Sequence, residues 1–274
     1  MYNKTDLKNK LESIHRKSYP AYKSLRGSYT FGDFVLSIDH VQGDPFAAPS
    51  SLHVELPLAK VGIPEKYFEG RHTKTALEDL ILRKFSRALD QYSFKAKGSG
   101  KSGLISTSRP GPEVMRRTAV EFTEKLLIVR FEVGFPANGR TINAQELEKI
   151  LLDFLPQIVK KCLYYQAWDK RLVQEGFELA ENQQKIREVL EERKLVAFCA
   201  NGSILPRKSG VSSQPLKDAV AFESPKSMEL AIDLPFGGSI FGMGIPEGVT
   251  LIIGGGYHGK STLLQALEQG YTIM

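Results

Sequence analysis

The most definite chemistry in this chain belongs to four glycines and three polar side chains near position 260. Gly254, Gly255, Gly256 and Gly259 are followed at once by Lys260, Ser261 and Thr262, with Tyr257 and His258 filling the gap. Gly254, Gly259, Lys260 and Ser261 satisfy the G-x-x-x-x-G-K-[ST] pattern of a phosphate-binding loop. Each residue type has its own reason to be there. Glycine permits backbone conformations and close approaches that a Cβ obstructs. Amides of such a loop, and of the helix turn behind it, point at an anion and are reinforced by the helix dipole. Lysine adds a mobile point charge for β- and γ-phosphates, and a serine hydroxyl can ligate magnesium. Thr262 and the amides beside it complete the phosphate contacts. His258 is read either as a group titrating beside bound phosphate or as an exposed loop histidine.

Such a loop needs a strand to deliver it and a helix to receive it. Residues 249–253, VTLII, have the β-branched, apolar composition of a buried parallel strand, and residues 261–269 read as a helix with Leu263, Leu264 and Leu267 facing inward. Strand, loop and helix in that order predict a nucleotide site over residues 254–262, with ATP and magnesium as its ligands and Ser261 on the metal. A site of this class also takes a downstream acidic residue for magnesium. Only residues 263–274 follow, so no catalytic residue is expected within the chain.

A second glycine string, GSGKSG at residues 98–103, does not pass the same test. Lys95 stands where the pattern demands glycine, and the string follows a helical stretch and precedes a strand, the reverse order. It reads as a flexible basic loop able to grip a phosphate backbone without sequence preference.

That string lies within the most basic stretch of the chain. Between positions 94 and 117 stand Lys95, Lys97, Lys101, Arg109, Arg116 and Arg117 against the single acid Glu113, so five of the six net positive charges fall here. A concentrated patch points to a polyanionic partner, RNA or DNA, where a solvated surface loop is the plain alternative. Asp39, His40, Gln42 and Asp44 cluster after a strand and offer either a cation site or local turn hydrogen bonds. Residues 205–210, LPRKSG, place Arg207 and Lys208 on a phosphate contact or on a surface turn.

The bulk properties exclude several classes. With 42% hydrophobic and 25% charged residues the composition is that of a soluble globular chain. No apolar run approaches the roughly 18 residues of a membrane span, and the N-terminus lacks the apolar core of a secretory signal. Cys162 and Cys199 have no metal-ligand spacing and suit a reducing compartment, so the expected location is cytoplasmic.

The positioning elements follow from periodicity. A first helix is expected over 6–15, with strands at 29–39 and 52–58. A long helix carries the stripe Leu77, Leu80, Ile81, Phe85, Ala88, Leu89 and Tyr92, entered through Thr75 and Glu78 at capping-box spacing. Strands follow at 104–108, 118–122 and 126–135, then a helix entered through Asn143 and Glu146, with Pro156 as a kink or stop. Helical character continues to about Lys194, and residues 195–200 read as a buried strand. The fold class is α/β: an α+β N-terminal domain over 1–160, then the beginning of a P-loop NTPase core over 161–274.

Residues 242–267, GMGIPEGVTLIIGGGYHGKSTLLQAL, resemble the nucleotide-binding domains of ABC-type ATPases. More closely, the chain is similar to the bacterial family of predicted ABC-class ATPases. That likeness is carried by IDHVQGDPFAAPS (38–50), GSGKSGLI (98–105), RFEVGFPANGR (130–140), ILPRKSG (204–210) and the glycine loop. The resemblance implies an N-terminal α/β domain ahead of an ABC-like P-loop core, a basic surface suited to RNA or DNA, and a homodimer in a complete member. It carries nucleotide contact onto residues 254–262 and assigns nothing to Asp39, His40 or Asp44. Members continue into a signature motif and a Walker B acid, and this chain ends at Met274. It therefore looks like a truncated N-terminal half, an ATPase by family but with little hydrolysis expected of itself. The rival expectations are a nucleic-acid-binding module with an idle nucleotide loop and a non-functional truncated product.

Overall fold

The computed structural model describes residues 2–270. The chain end at residues 271–274, on which the expected truncation turns, lies outside the described residues. The chain divides into two compact units, one of residues 1–110 and 116–173, the other of residues 111–115 and 174–274.

The first unit is built on a mixed sheet. Its strands are β1 (Tyr2–Asn3), β2 (Gly27–Thr30), β3 (Val35–His40), β4 (Ser50–Pro57), β5 (Ile105–Ser106), β6 (Val120–Phe122) and β7 (Leu126–Val133). They run in the order β1-β2-β3-β4-β7-β5, with β6 also pairing β7. Only β1 and β2 are parallel. Alternation sets the register: Leu52, Val54 and Leu56 of β4 lie opposite Phe131, Val129 and Leu127 of β7, and all six are buried. The stretch expected as one strand over 29–39 is a hairpin instead. Gly32, at φ +75°, turns the chain, and the Phe31 amide bonds the Phe34 carbonyl at 2.8 Å. Continuous apolar alternation across that turn concealed it.

Helix α1 (Lys4–Ile14) opens with a capping box between Asn3 and Asp6 and buries Leu7, Leu11 and Ile14. A single turn, α2 (Leu58–Val61), follows β4. The long helix α3 (Arg71–Tyr92) buries Leu77, Ile81, Phe85, Ala88 and Leu89, each larger side chain stabilising the fold by about 1.5–3 kcal/mol. It starts four residues before Thr75, whose hydroxyl bonds back to the Arg71 carbonyl at 2.9 Å. Glu78 is buried and accepts from the Phe122 amide of β6 at 2.9 Å. A sheet contact has taken the residue expected as the cap partner. The short hairpin β8 (Ala137–Asn138) and β9 (Thr141–Ile142) leads into α4 (Ala144–Glu148), a π-helical turn (Lys149–Phe154) and α5 (Leu155–Cys162). Pro156 lies in the first turn of α5, directly after the π-helical turn, and the helix continues through it rather than stopping. Asn143 makes no side-chain cap, and Glu146 turns elsewhere.

The second unit carries most of α6 (Lys170–Glu192) and an antiparallel sheet of β10 (Leu195–Ala200), β14 (Ser239–Pro246) and β13 (Glu229–Asp233), in that order. A separate hairpin pairs β11 (Arg207–Ser209) with β12 (Ser212–Pro215). Helix α7 (Lys260–Gly270) closes the described chain. Cys199, Met243 and Ile245 form a small core against which Leu263 and Leu267 of α7 pack. Leu264, expected inward, is 62% exposed. Residues 249–253, expected as a buried strand, pair with nothing among the described residues, and Val249, Leu251 and Ile253 are exposed. Their composition suits a strand, but a strand exists only when paired with another, and no described strand pairs with this segment.

Candidate phosphate-binding loop

Helix α7 begins at Lys260. The amides of its first turn have no acceptor within the helix, apart from Leu263, which bonds the Gly259 carbonyl at 2.9 Å. Before it the chain turns sharply, with Tyr257 at φ +61° and Gly259 at φ +77°. A side chain at 259 would be strained in that conformation, so the glycine there is a backbone requirement. No neighbour approaches within 4 Å of where a Cβ on Gly256 or Gly259 would stand, so that face of the loop is open.

Lys260 folds back over the loop it follows. Its ammonium donates to the carbonyls of Gly254 at 2.8 Å and Gly255 at 2.5 Å, which holds the charge at the mouth of the loop. His258 accepts from the Gly255 amide through Nδ1 at 3.1 Å. It is exposed, as the loop-histidine reading had it, and this bond also braces the loop. Tyr257 is fully exposed, and Ser261 and Thr262 stand at the start of α7 beside Lys260. One ammonium, a set of unspent amides, a helix N-terminus and a free face are a donor set for an anion chain. They suit the triphosphate of a nucleotide, with Ser261 available to a magnesium ion.

The other sequence candidates are distributed differently. Asp39 accepts a hydrogen bond from His53 Nδ1 at 2.6 Å, while Asp44 pairs with Arg140 at 2.8 Å. Gln42 is buried, its Oε1 accepting from Phe135 N–H at 3.1 Å and Ser50 N–H at 3.3 Å. The cluster at 39–44 therefore points three ways, and no group among the described residues could hold a metal ion. Among the basic residues, Arg109 pairs with Asp90 at 2.6 Å, Arg116 with Glu121 at 3.7 Å and Arg117 with Asp79 at 2.6 Å. Lys95 lies over the Tyr92 ring, and Lys97 and Lys101 are exposed. Arg207 sits in the β11–β12 hairpin with Nη1 on the Ile204 carbonyl at 3.1 Å.

The GSGKSG string is neither a phosphate loop nor a loose one. The amides of Ser99, Lys101, Ser102 and Gly103 bond the carbonyls of Ala137, Pro45, Ser99 and Gly134 at 2.7–3.1 Å. The Ala137 amide in turn bonds Ser102 Oγ at 3.0 Å. Sequence reading missed this convergence of segments 42–50, 98–104 and 134–140. Its signal was present in glycines and short polar residues recurring at three separate places.

The described helices include none long and apolar enough to cross a membrane. Over 97 residues the chain is 35% identical to an uncharacterised protein of Methanocaldococcus jannaschii, covering 32% of this chain and 22% of that relative's length. Residues 169–272 match a P-loop domain of the ABC ATPase class, a nucleotide-binding domain. Residues 4–166, more than half of the chain, match the N-terminal model of ATPases of the ABC class. On these matches the chain belongs to the family of ABC-class ATPases.

Proposed function

We propose that residues 254–262 hold the phosphates of ATP, with magnesium on Ser261, and that the second unit is a nucleotide-binding element serving a first unit that engages RNA or DNA. The observation that carries the reading is the Lys260 ammonium held over the Gly254 and Gly255 carbonyls at the N-terminus of α7. Exchanging those carbonyls for phosphate oxygens needs only side-chain movement, because Lys260 and His258 are the neighbours at Gly254 and Gly255 and the loop is open at Gly256 and Gly259. Bound magnesium would neutralise charge on the phosphates and fix their orientation. This chain's residues bind and orient, and no acid or base in them is assigned to water activation. Little hydrolysis is therefore expected of the chain alone. The family implies a homodimer for a complete member and the cysteines a cytoplasmic setting.

The test is equilibrium binding of a fluorescent ATP analogue with magnesium. The parent chain is expected to bind, Lys260→Ala to lose binding by more than tenfold, and Ser261→Ala to lose the magnesium-dependent part. No binding by the parent chain at millimolar Mg-ATP would leave the rival reading, a nucleic-acid-binding module with an idle loop.

A further inference from the structure

We propose that one end of the first unit, centred on Phe46, is a binding surface for single-stranded polynucleotide, with bases stacking on Phe46 and the backbone following Lys97, Lys101 and Arg140. The proposal rests on the nucleic-acid part of the reading above and moves it away from the stretch that the linear sequence favours.

A single exposed apolar side chain carries no message. Phe46 is different because of how it is held and what surrounds it. It is 63% exposed, yet its amide bonds Asp44 Oδ1 at 3.0 Å, and the preceding Pro45 carbonyl accepts from the Lys101 amide at 2.8 Å. Its ring rests on Gly100, where a Cβ would come within 2.9 Å of Phe46 Cδ1 and 2.6 Å of the Pro45 carbonyl oxygen. The phenyl thus stands out on a backbone fixed at Asp44 and Lys101, over a glycine whose place a Cβ would contest.

Cations reach this phenyl from segments far apart in the chain. Lys101 is placed by its own amide bond to Pro45. Arg140 is placed by its ion pair with Asp44, and Gly139 beside it donates to Ser99 Oγ at 2.9 Å. Lys97 is anchored through its amide on Glu146 Oε2 at 2.9 Å. Arg16 and Lys17 join through backbone bonds to Ile142 at 3.1 and 2.9 Å, and all five cations are exposed. The acids within this set are engaged, Asp44 by Arg140 and Glu146 by Lys149. The arginines that dominate the linear patch, Arg109, Arg116 and Arg117, are committed to carboxylates. An exposed aromatic beside exposed cations, of which Arg140 is shared with Asp44, matches how single strands are bound, by base stacking and phosphate contact, whereas paired bases in a duplex present no face to a phenyl ring.

The experiment is fluorescence anisotropy on the full chain with a labelled single strand and the matching duplex, across a salt series. The single strand is expected to bind more tightly, with affinity falling linearly in log salt. Phe46→Ala is expected to weaken single-strand binding roughly tenfold, Phe46→Trp to restore it, and Lys101→Ala to make the salt slope shallower. Arg109→Ala with Arg116→Ala is expected to leave binding unchanged. Circular-dichroism melts matching the parent show that the variants fold. Equal affinity for duplex, or parent-like binding by Phe46→Ala and Lys101→Ala while the arginine pair loses it, would overturn this surface and leave the nucleic-acid reading standing. No binding of either oligonucleotide by the parent would overturn both.

Discussion

The Asp79 carboxylate, buried on α3, accepts a hydrogen bond from Arg117 Nη1 at 2.6 Å, across 38 positions of sequence. Its other oxygen takes Nε of Arg83 at 2.5 Å. Removing a partner from such a pair leaves a buried charge without compensation, whereas an exposed pair is worth little. Arg117→Ala is therefore expected to destabilise the first unit by about 3 kcal/mol, the lower end for such pairs because Arg83 remains. Arg109→Ala, whose pair with Asp90 is exposed, should cost less than about 1 kcal/mol. Urea unfolding of the two variants checks the order, and equal effects would refute it.

Gly134 is a packing requirement. A Cβ there would stand 1.8 Å from the Lys101 carbonyl oxygen, which is backbone and cannot swing aside. At Gly139 nothing lies within 4 Å, and only the φ of +61° resists substitution. Gly134→Ala should cost at least about 2 kcal/mol, and Gly139→Ala about 1 kcal/mol. Denaturant midpoints would settle the ranking, and a tolerated Gly134→Ala would mean that the 98–104 loop is not clamped as described.

Burial pushes the Glu78 carboxyl above the usual carboxylate range, against the downward pull of the Phe122 amide, Lys74 and Arg116. The folded chain therefore keeps this proton to higher pH than the unfolded chain. The associated stability is fully present below the unfolded value of about 4.3 and is lost as pH rises through the folded one. Glu78→Gln retains an oxygen for the Phe122 N–H and cannot ionise. Its stability relative to the parent should rise as pH climbs above about 4.3 and level off once the folded parent's carboxyl has ionised. Thermal melts across that range measure it, and a difference that does not vary with pH would contradict the assignment.

Both cysteines are buried, and burial lifts each thiol to about 11. Near pH 8 only about one thiol in a thousand would be ionised, and the thiolate is the reactive form. A chromogenic disulfide reagent should react slowly with the native chain and release two equivalents once the protein is unfolded, matching Cys162 and Cys199. A rapid native equivalent would show that one of the two is open to solvent.

Local pattern was enough wherever neighbours in sequence are also neighbours in space. Apolar residues at three- and four-residue spacing located α3, alternation located β4 and β7, and the glycine-lysine-serine run located the loop that opens α7. Each is a relation within one element, where spacing along the chain is itself geometry. The hairpin within 27–40 escaped because its apolar alternation runs straight through the turn at Gly32.

The sequence by itself determined where the glycine-lysine-serine run lies and the helix that follows it, because those rest on residue type at fixed short spacing, while a resemblance over several segments pointed to the family. Only the tertiary structure decided which cations are free and which are bound. Arg117 and Asp79 lie 38 positions apart, and Arg140 and Asp44 lie 96 apart. Nothing in local composition tells a lysine facing water from an arginine committed to a carboxylate brought from another strand. The physical reason is that charge pairing depends on distance through space, and chain folding sets that distance without leaving a period in the sequence.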